Sequence, residues 1–360
     1  MNRLENDILA LLESGEPVAL ATIVSLAGSA PRTPGTRMAV RRDGAILGTI
    51  GGGRLEAEVI QAGRESLHTG KSLLKHFELT GKDAREMDMI CGGVLDILVE
   101  PLSSDAQTVA LLHTFERLRD AGKELLLVTL LRDAPDYEKQ LLSERLLVEQ
   151  TPEGPVFHPR RPENHNLLLP LLETAMAERC PTMFTIEDER ENDRVVIEPV
   201  LASGTIHLFG AGHVSKEVAA LAHQVDFRVE VYDDRPEFAN RERFPRAAAV
   251  HVPEDMAEAL DPKRIDPNSY VVIITRGHKY DMDVLAQALR TEPCYIGMIG
   301  SRRKRDKIYE SLRKQGFKEA DLSCVRCPVG LDIHAETPAE IALSIVAELV
   351  SFRASMKDRT

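Results

Sequence analysis

The chain has 360 residues, a formal net charge of −12 and 43% hydrophobic residues, enough for two packed domains. It lacks Trp and is 4% aromatic, which argues against a stacking surface for single-stranded nucleic acid, and its acidity argues against a phosphate-backbone partner. No apolar run approaches the roughly 18–20 residues that cross a bilayer, and the cysteines at 91, 180, 294, 324 and 327 form no disulfide framework, so the chain reads as cytoplasmic, with reduced thiols and no membrane partner.

Residues 3–14 carry Leu4, Ile8, Leu11 and Leu12 on one helical face, stopped by Gly15 and Pro17. Val18–Leu26 reads as a buried strand. It runs into a rigid loop, residues 28–36, whose two prolines, hydroxyls and Arg32 suit an anion. Met38–Val40 and Ala45–Thr49 read as a hairpin turned by Asp43-Gly44. The hairpin delivers Gly51, Gly52 and Gly53 to the start of a helix reaching Gly70. Three glycines there cost order, which makes sense where backbone approaches a ligand or another segment closely.

Leu73–Leu79 is a further strand. The next loop ends in Cys91, Gly92 and Gly93, followed by a strand over Val94–Val99 that stops at Pro101. A cysteine beside open backbone N–H groups can act as nucleophile or soft ligand, although most lone cysteines are buried small hydrophobes. Ala106–Ala121 reads as a helix and Leu125–Leu131 as a strand. From Arg132 to Pro199 the text is looser, with short strands at Leu141–Glu149, Met183–Glu187 and Val195–Pro199 and a helix near Leu167–Glu178. Residues 201–204 read as a linker. The boundary falls there, giving an α/β domain over 1–200 and a second domain over 201–360.

The second domain opens with a strand, glycine turn, helix and strand over residues 203–235. Ile206–Phe209 leads into Gly210-Ala211-Gly212-His213, the helix has a stripe at Val214, Val218, Leu221, Ala222 and Val225, and Phe227–Tyr232 ends on Asp233-Asp234. This is the dinucleotide-binding βαβ pattern. Gly210 permits the turn, Gly212 lets backbone approach a pyrophosphate at the helix N-terminus, and Asp233 or Asp234 would accept from ribose hydroxyls. Ser215 stands where the third glycine usually sits, which keeps the fold and weakens the case for NAD itself.

Tyr270–Thr275 is an apolar strand ending in Arg276, Gly277 and His278. Cys294–Ile299 is another, delivering Gly300, Ser301, Arg302, Arg303 and Lys304 to a helix start that suits a phosphate. In an open α/β sheet these ends share one edge, which makes Gly210, Gly212, His213, Ser215, Asp233, Arg276, His278, Ser301 and Arg302 candidates for one cleft. Cys324 and Cys327, with His334 after them, fall short of the four ligands of a structural zinc, so no metal site is expected. Thr337, Pro338 and Glu340 then open the closing helix with a capping box.

Several of these stretches together resemble the XdhC/CoxI family. GSAPRTPGTRMAV, GTIGGGRLEAEVI and MICGGVLDILVEP are similar to its N-terminal domain; GAGHVSKEVA, VYDDRPEFAN, TRGHKYDMDVL, YIGMIGSRRKR and GLDIHAETPAEIALSIVAELV are similar to its C-terminal Rossmann domain. The resemblance implies an N-terminal mixed α/β domain followed by a doubly wound parallel sheet. It implies an accessory factor that binds molybdenum cofactor (molybdopterin) as cargo and helps its sulfuration and insertion into an apo molybdenum hydroxylase of xanthine dehydrogenase type. A cysteine desulfurase partner and homo-oligomerisation are also implied. Carried over, Gly51–Gly53 and Cys91–Gly93 become the leading cofactor-contact candidates, Arg32 or the Gly210–Gly212 turn suits the pterin phosphate, and Cys91 is the sulfur-handling candidate. Cys327 and His334 depart from the family's usual residues there. The competing reading is an NAD(P)-dependent oxidoreductase or nucleotide sensor. Against turnover, His213 and His278 are the histidines at the expected cleft and form no convincing acid–base pair.

Overall fold

The structure, a computed structural model, describes residues 2–30, 32–78, 93–134, 140–163, 165–188, 191–200 and 204–357. The chain forms two compact units, Met1–Leu201 and Ala202–Thr360.

The first unit follows the order α1 (Asn2–Glu13), β1 (Val18–Ala27), β2 (Arg37–Val40), β3 (Ile46–Gly48), α2 (Gly53–Thr69), β4 (Ser72–Glu78), β5 (Val94–Leu102), α3 (Ala106–Asp120), β6 (Leu125–Asp133), β7 (Gln140–Glu149), β8 (Val156–His158), α4 (His165–Glu178), β9 (Thr182–Asp188) and β10 (Glu191–Val200). The strands form one ten-stranded sheet in the order β3-β2-β1-β5-β4-β7-β6-β10-β9, with β8 on β7. β1 is a continuous apolar run because both its faces are covered. Val18 and Leu20 pack with Ile8 and Leu12 of α1, whereas Ala19, Ala21 and Ile23 pack with Leu55, Val59 and Ala62 of α2.

The sheet rolls on itself. Val24, Leu98, Leu131, Leu141 and Val196, from five different strands, share one apolar cluster. Arg37 of β2 reaches Glu198 of β10 at 2.8 Å and Glu5 of α1 at 3.0 Å. Two expectations change here. The stretch read as loose is regular: β7 pairs with β6 from Leu141 to Glu149, and β10 pairs with both β6 and β9. β7 matches the strand read over Leu141–Glu149 even though its burial does not alternate cleanly, Leu142 and Ser143 being exposed in succession. β5 also runs through Pro101 to Leu102. Pro101 lies beyond Val99, the last residue paired with β4, where one side of the strand has no partner to lose.

The second unit contains β11 (Thr205–Phe209), α5 (His213–Gln224), β12 (Arg228–Tyr232), β13 (Ala249–His251), β14 (Ser269–Ile273), α6 (His278–Ala288), β15 (Tyr295–Met298), α7 (Arg302–Lys314), α8 (Glu319–Ser323), β16 (Val325–Arg326) and α9 (Pro338–Lys357). All pairings are parallel, in the order β13-β12-β11-β14-β15-β16. This is the doubly wound Rossmann order, with its switch point between β11 and β14. α5 and α9 cover one face through Val218, Ala222, Ile345 and Leu349. α6 and α7 cover the other through Val284, Leu285, Ile308 and Leu312. Covering both faces explains why β14 is buried along its whole length. Among the described residues no helix is long and apolar enough to cross a membrane.

Candidate functional site

In the first unit the candidates gather around glycines. Gly51, Gly52 and Gly53 have φ of +133°, +82° and +65°, a left-handed run that glycine alone makes cheaply. The loop wraps the carboxylate of Glu56, one turn into α2. Glu56 Oε1 accepts from the N–H groups of Ile50 at 3.2 Å and Gly52 at 3.0 Å, and from the Thr49 hydroxyl. Burial alone would raise the Glu56 pKa, but the Thr49 hydroxyl and the loop N–H groups outweigh it and hold the carboxyl below its ordinary range. Outward the loop is open: a Cβ on Gly52 would meet nothing within 4 Å, and α2 starts without a side-chain cap.

Gly93 serves packing. A Cβ there would lie 2.5 Å from the Ser29 carbonyl oxygen, so the start of β5 lies tight against the chain leaving β1. Arg32 is exposed in the loop after β1. Cys91 and Gly92 lie outside the described residues. Close to Gly93 a polar row crosses three strands that sequence reading passed over. Ser25 Oγ donates to Asp96 at 2.5 Å, and His76 Nδ1 lies 2.7 Å from the other Asp96 oxygen. The hydrogen bond to Asp96 raises the His76 pKa. The three residues are scattered in sequence and meet only through register.

In the second unit the candidates meet at the carboxyl ends of the parallel strands. Gly210 N donates to Tyr232 O at 2.7 Å, and Ile274 N donates to Phe209 O at 2.7 Å. With φ at +105°, Gly210 leaves no room for a Cβ, which would sit 2.1 Å from the Ile274 carbonyl oxygen. Gly212 is different. Its φ is −71°, a Cβ there would meet nothing within 4 Å, and α5 starts on it without a side-chain cap. Gly277 opens α6 in the same way. Two helices therefore present uncapped N-termini and open backbone at the switch point, which favours an anion. Ser215 is fully buried where the third glycine of the fingerprint would be, its hydroxyl without a hydrogen-bond partner among the described residues. His213 and His278 are exposed in the first turns of α5 and α6.

Asp233 sits at the end of β12, 4% exposed. Its Oδ2 accepts from Ala211 N at 2.8 Å and Arg235 Nη2 at 2.9 Å; its Oδ1 accepts from Arg235 Nε at 2.8 Å and Arg235 N at 3.1 Å. Burial would raise the Asp233 pKa, but these donors hold it below the usual range. Asp234 accepts from Arg276 at 2.6 Å and from the Tyr280 hydroxyl at 3.2 Å. Ser301 caps α7 and Arg302 is exposed beside it. Lys304 turns inward instead, to the Ile299 carbonyl at 3.2 Å and to Asp281, which is fully buried and accepts from Thr275 at 2.7 Å. Sequence reading placed Lys304 among the phosphate-facing cations; the acid that claims it lies 23 residues away on the neighbouring helix. Cys327 points at the Gly300 carbonyl, 3.8 Å away, and burial pushes its thiol up to about 11. Cys324 and His334 are exposed.

Gly210, Gly212, His213, Ser215, Asp233, Arg276, His278, Ser301 and Arg302 thus share one sheet edge, while Arg32, Gly51–Gly53 and Gly93 belong to the other unit. Comparison with known proteins adds descent to this geometry. Residues 206–349 match the XdhC Rossmann domain, and residues 11–78 match the XdhC and CoxI family. The chain is 27% identical to a probable xanthine dehydrogenase subunit of Bacillus subtilis, over 96% of both chains. It is 23% identical to the molybdenum cofactor insertion chaperone PaoD of Escherichia coli, over 95% of this chain and 85% of that one. It is 25% identical to the uncharacterized protein YqeB of Escherichia coli, of whose length it spans 45%. A crystal structure from Bacillus halodurans, described as a xanthine dehydrogenase, has the same fold, with a TM-score of 0.73, 24% identity and coverage of 98% and 96% of the two chains. With both of its characteristic domains present in order, the chain belongs to the XdhC and CoxI family.

Proposed function

We propose that this protein is an accessory factor for a molybdenum hydroxylase of xanthine dehydrogenase type, binding molybdenum cofactor as cargo and assisting its sulfuration and insertion into the apoenzyme. The observation that carries the proposal is the end-to-end similarity to a probable xanthine dehydrogenase subunit and to a molybdenum cofactor insertion chaperone. The geometry is compatible with such cargo. The second unit offers a helix that starts on an open, uncapped glycine, Gly212, which suits the phosphate of a pterin. In the first unit the Gly52 N–H is taken by Glu56, and the loop offers close approach of open backbone instead. On this reading Cys91 handles sulfur received from a cysteine desulfurase, and the protein works as a homo-oligomer.

The strand order and the Gly210–Gly212 turn favour a second reading, an NAD(P)-dependent oxidoreductase or a nucleotide-sensing regulator. Anaerobic titration of the full chain with molybdenum cofactor and, separately, with NAD(H) divides the two. Near-stoichiometric cofactor binding, followed by activation of an apo hydroxylase that falls in Cys91→Ala, is the expected result. Nucleotide binding without cofactor binding would sink the accessory reading, and full activation by the Cys91→Ala variant would remove that thiol from the mechanism.

A further inference from the structure

The end of β12 is where a Rossmann fold reads the ribose of a dinucleotide. A ribose diol is held there by a carboxylate with lone pairs to spare, because each hydroxyl must donate to something. An ionised carboxylate offers about four acceptor sites. In Asp233 the N–H of Ala211, the N–H of Arg235 and two nitrogens of the Arg235 guanidinium fill them, all between 2.8 and 3.1 Å. The Arg235 fork is fixed from its other side by the Phe238 ring, 3.9 Å from the guanidinium carbon. Asp233 therefore has its full set of partners before any ligand arrives.

Asp234 is engaged as well. One of its oxygens takes both Arg276 Nη2 and the Tyr280 hydroxyl, and Arg276 also donates to that hydroxyl at 3.2 Å. The other Asp234 oxygen, Oδ1, accepts no hydrogen bond among the described residues and lies 4.0 Å from Arg235 Nε. Apart from that one oxygen, what the edge has left to offer is donors. The Arg276 side chain is 46% exposed, and among the described residues its hydrogen bonds all run through Nη2, leaving Nε and Nη1. Arg235 uses Nε and Nη2 on Asp233, leaving Nη1. Arg243 lies alongside, 5.1 Å from the Phe238 ring, and donates to the Ala211 carbonyl. Glu237, exposed in the loop beyond, faces Arg235 and tempers the positive field.

We infer that this subsite rejects a free ribose diol and takes a phosphate monoester, with Arg276 as the residue that selects for it. A phosphate accepts charge-assisted hydrogen bonds from a guanidinium fork, which a neutral hydroxyl pair cannot match, and it asks for no acceptor in return. The uncapped start of α5 supports the same sign of charge at the adjoining turn. The inference rests on the reading that this sheet edge is a ligand site. Two ligands carry the required group: a nicotinamide dinucleotide with a 2′-phosphate, and the terminal phosphate of molybdopterin.

The test is calorimetric titration of the full-length protein and of Arg276→Gln with NADH, NADPH and, anaerobically, molybdenum cofactor, with near-ultraviolet circular dichroism confirming that the variant is folded. NADPH binding at least tenfold tighter than NADH, with the difference lost in Arg276→Gln, supports the subsite and names the dinucleotide. Binding of molybdenum cofactor but neither dinucleotide, weakened at least tenfold in the variant, supports it and names the pterin. Equal affinity for NADH and NADPH, affinities within threefold between wild type and variant, or no binding of any of the three overturns it. Cofactor binding that survives Arg276→Gln overturns this inference and leaves the accessory reading standing. Arg276-dependent NADPH binding without affinity for molybdenum cofactor does the reverse.

Discussion

Replacing Arg37 by Met should destabilise the first unit by an amount that depends on pH in a defined direction. The guanidinium bridges Glu5 at 3.0 Å and Glu198 at 2.8 Å, with side-chain exposures of 7% for Arg37, 9% for Glu5 and 6% for Glu198. Removing one member of a buried pair costs roughly 3–5 kcal/mol, because the remaining charge stays out of water. Here two carboxylates flank the vacated space. A carboxylate can shed its charge by taking a proton, at about 1.4 kcal/mol per pH unit above a pKa of about 4.3, or about 3.7 kcal/mol at pH 7. One shared proton relieves most of the repulsion, so the expected loss is about 4 kcal/mol at pH 7. At pH 5 the same proton costs only about 1 kcal/mol, so the penalty shrinks as the solution is acidified. Five of the six tyrosines lie in the second unit, so tyrosine fluorescence in urea serves as an internal control. Hydrogen exchange of peptides from β2 and β10 reports the first unit. A loss below about 1 kcal/mol at pH 7, or one that is equal at pH 5, would refute the argument. Replacing Glu5, Arg37 and Glu198 together by apolar residues should recover most of the loss.

The second unit should weaken in mild acid through His207. This residue is 2% exposed, its Nδ1 lies 3.2 Å from the Tyr232 hydroxyl, and burial holds its pKa down to about 4. An unfolded histidine titrates near 6.5, so the contribution of the neutral ring is complete above that pH and is lost as pH falls from about 6.5 to about 4; at pH 5 the loss is about 2 kcal/mol. Urea midpoints from tyrosine fluorescence between pH 7.5 and 5 measure it, and His207→Gln should flatten the profile; an unchanged slope in that variant would exclude His207 as its source. At the nucleotide-type turn, Gly210→Ala should cost more than about 2 kcal/mol, since the new Cβ meets the Ile274 carbonyl at positive φ. Gly212→Ala should stay within about 1 kcal/mol in stability while weakening any anionic ligand, because its Cβ points into open space. Equal thermal shifts for the two variants would contradict this assignment of roles.

The Rossmann half was legible because its signals are local. Strand, Gly210, helix stripe and terminal Asp233 lie within thirty residues, and β11, α5 and β12 follow them closely. What escaped the sequence depends on partners that only register or packing brings together. The saturation of Asp233 by Arg235 was open to a local reading, since the two are two residues apart, but no pattern says that a loop arginine will fold back on an acid. Glu56 read as one more helix residue, although its distance from Gly52 suits a carboxylate returning to the loop. The Asp281–Lys304 pair depends on two adjacent strand ends, and the Ser25–Asp96–His76 row on three strands in register. β7 and β9 were legible over Leu141–Glu149 and Met183–Glu187, whereas β10 was read only from Val195, because its first residues, Glu191 to Arg194, are all polar and give no apolar signal.

The bond between Arg37 and Glu198 spans 161 residues of sequence. At a synthesis rate of roughly 5–20 residues per second, the ribosome delivers Glu198 about 8–30 s after Arg37. Throughout that interval α1 and α2 already cover most of β1 and β2, but Arg37 lacks one of its two carboxylates and the cluster of Val24, Leu98, Leu131 and Leu141 stands open where Val196 of β10 will close it. Slower translation across residues 40–200 should therefore lower the soluble fraction of the protein, and an unchanged fraction would contradict this. A truncation that ends before β10 should be recovered as aggregate rather than as a smaller soluble domain.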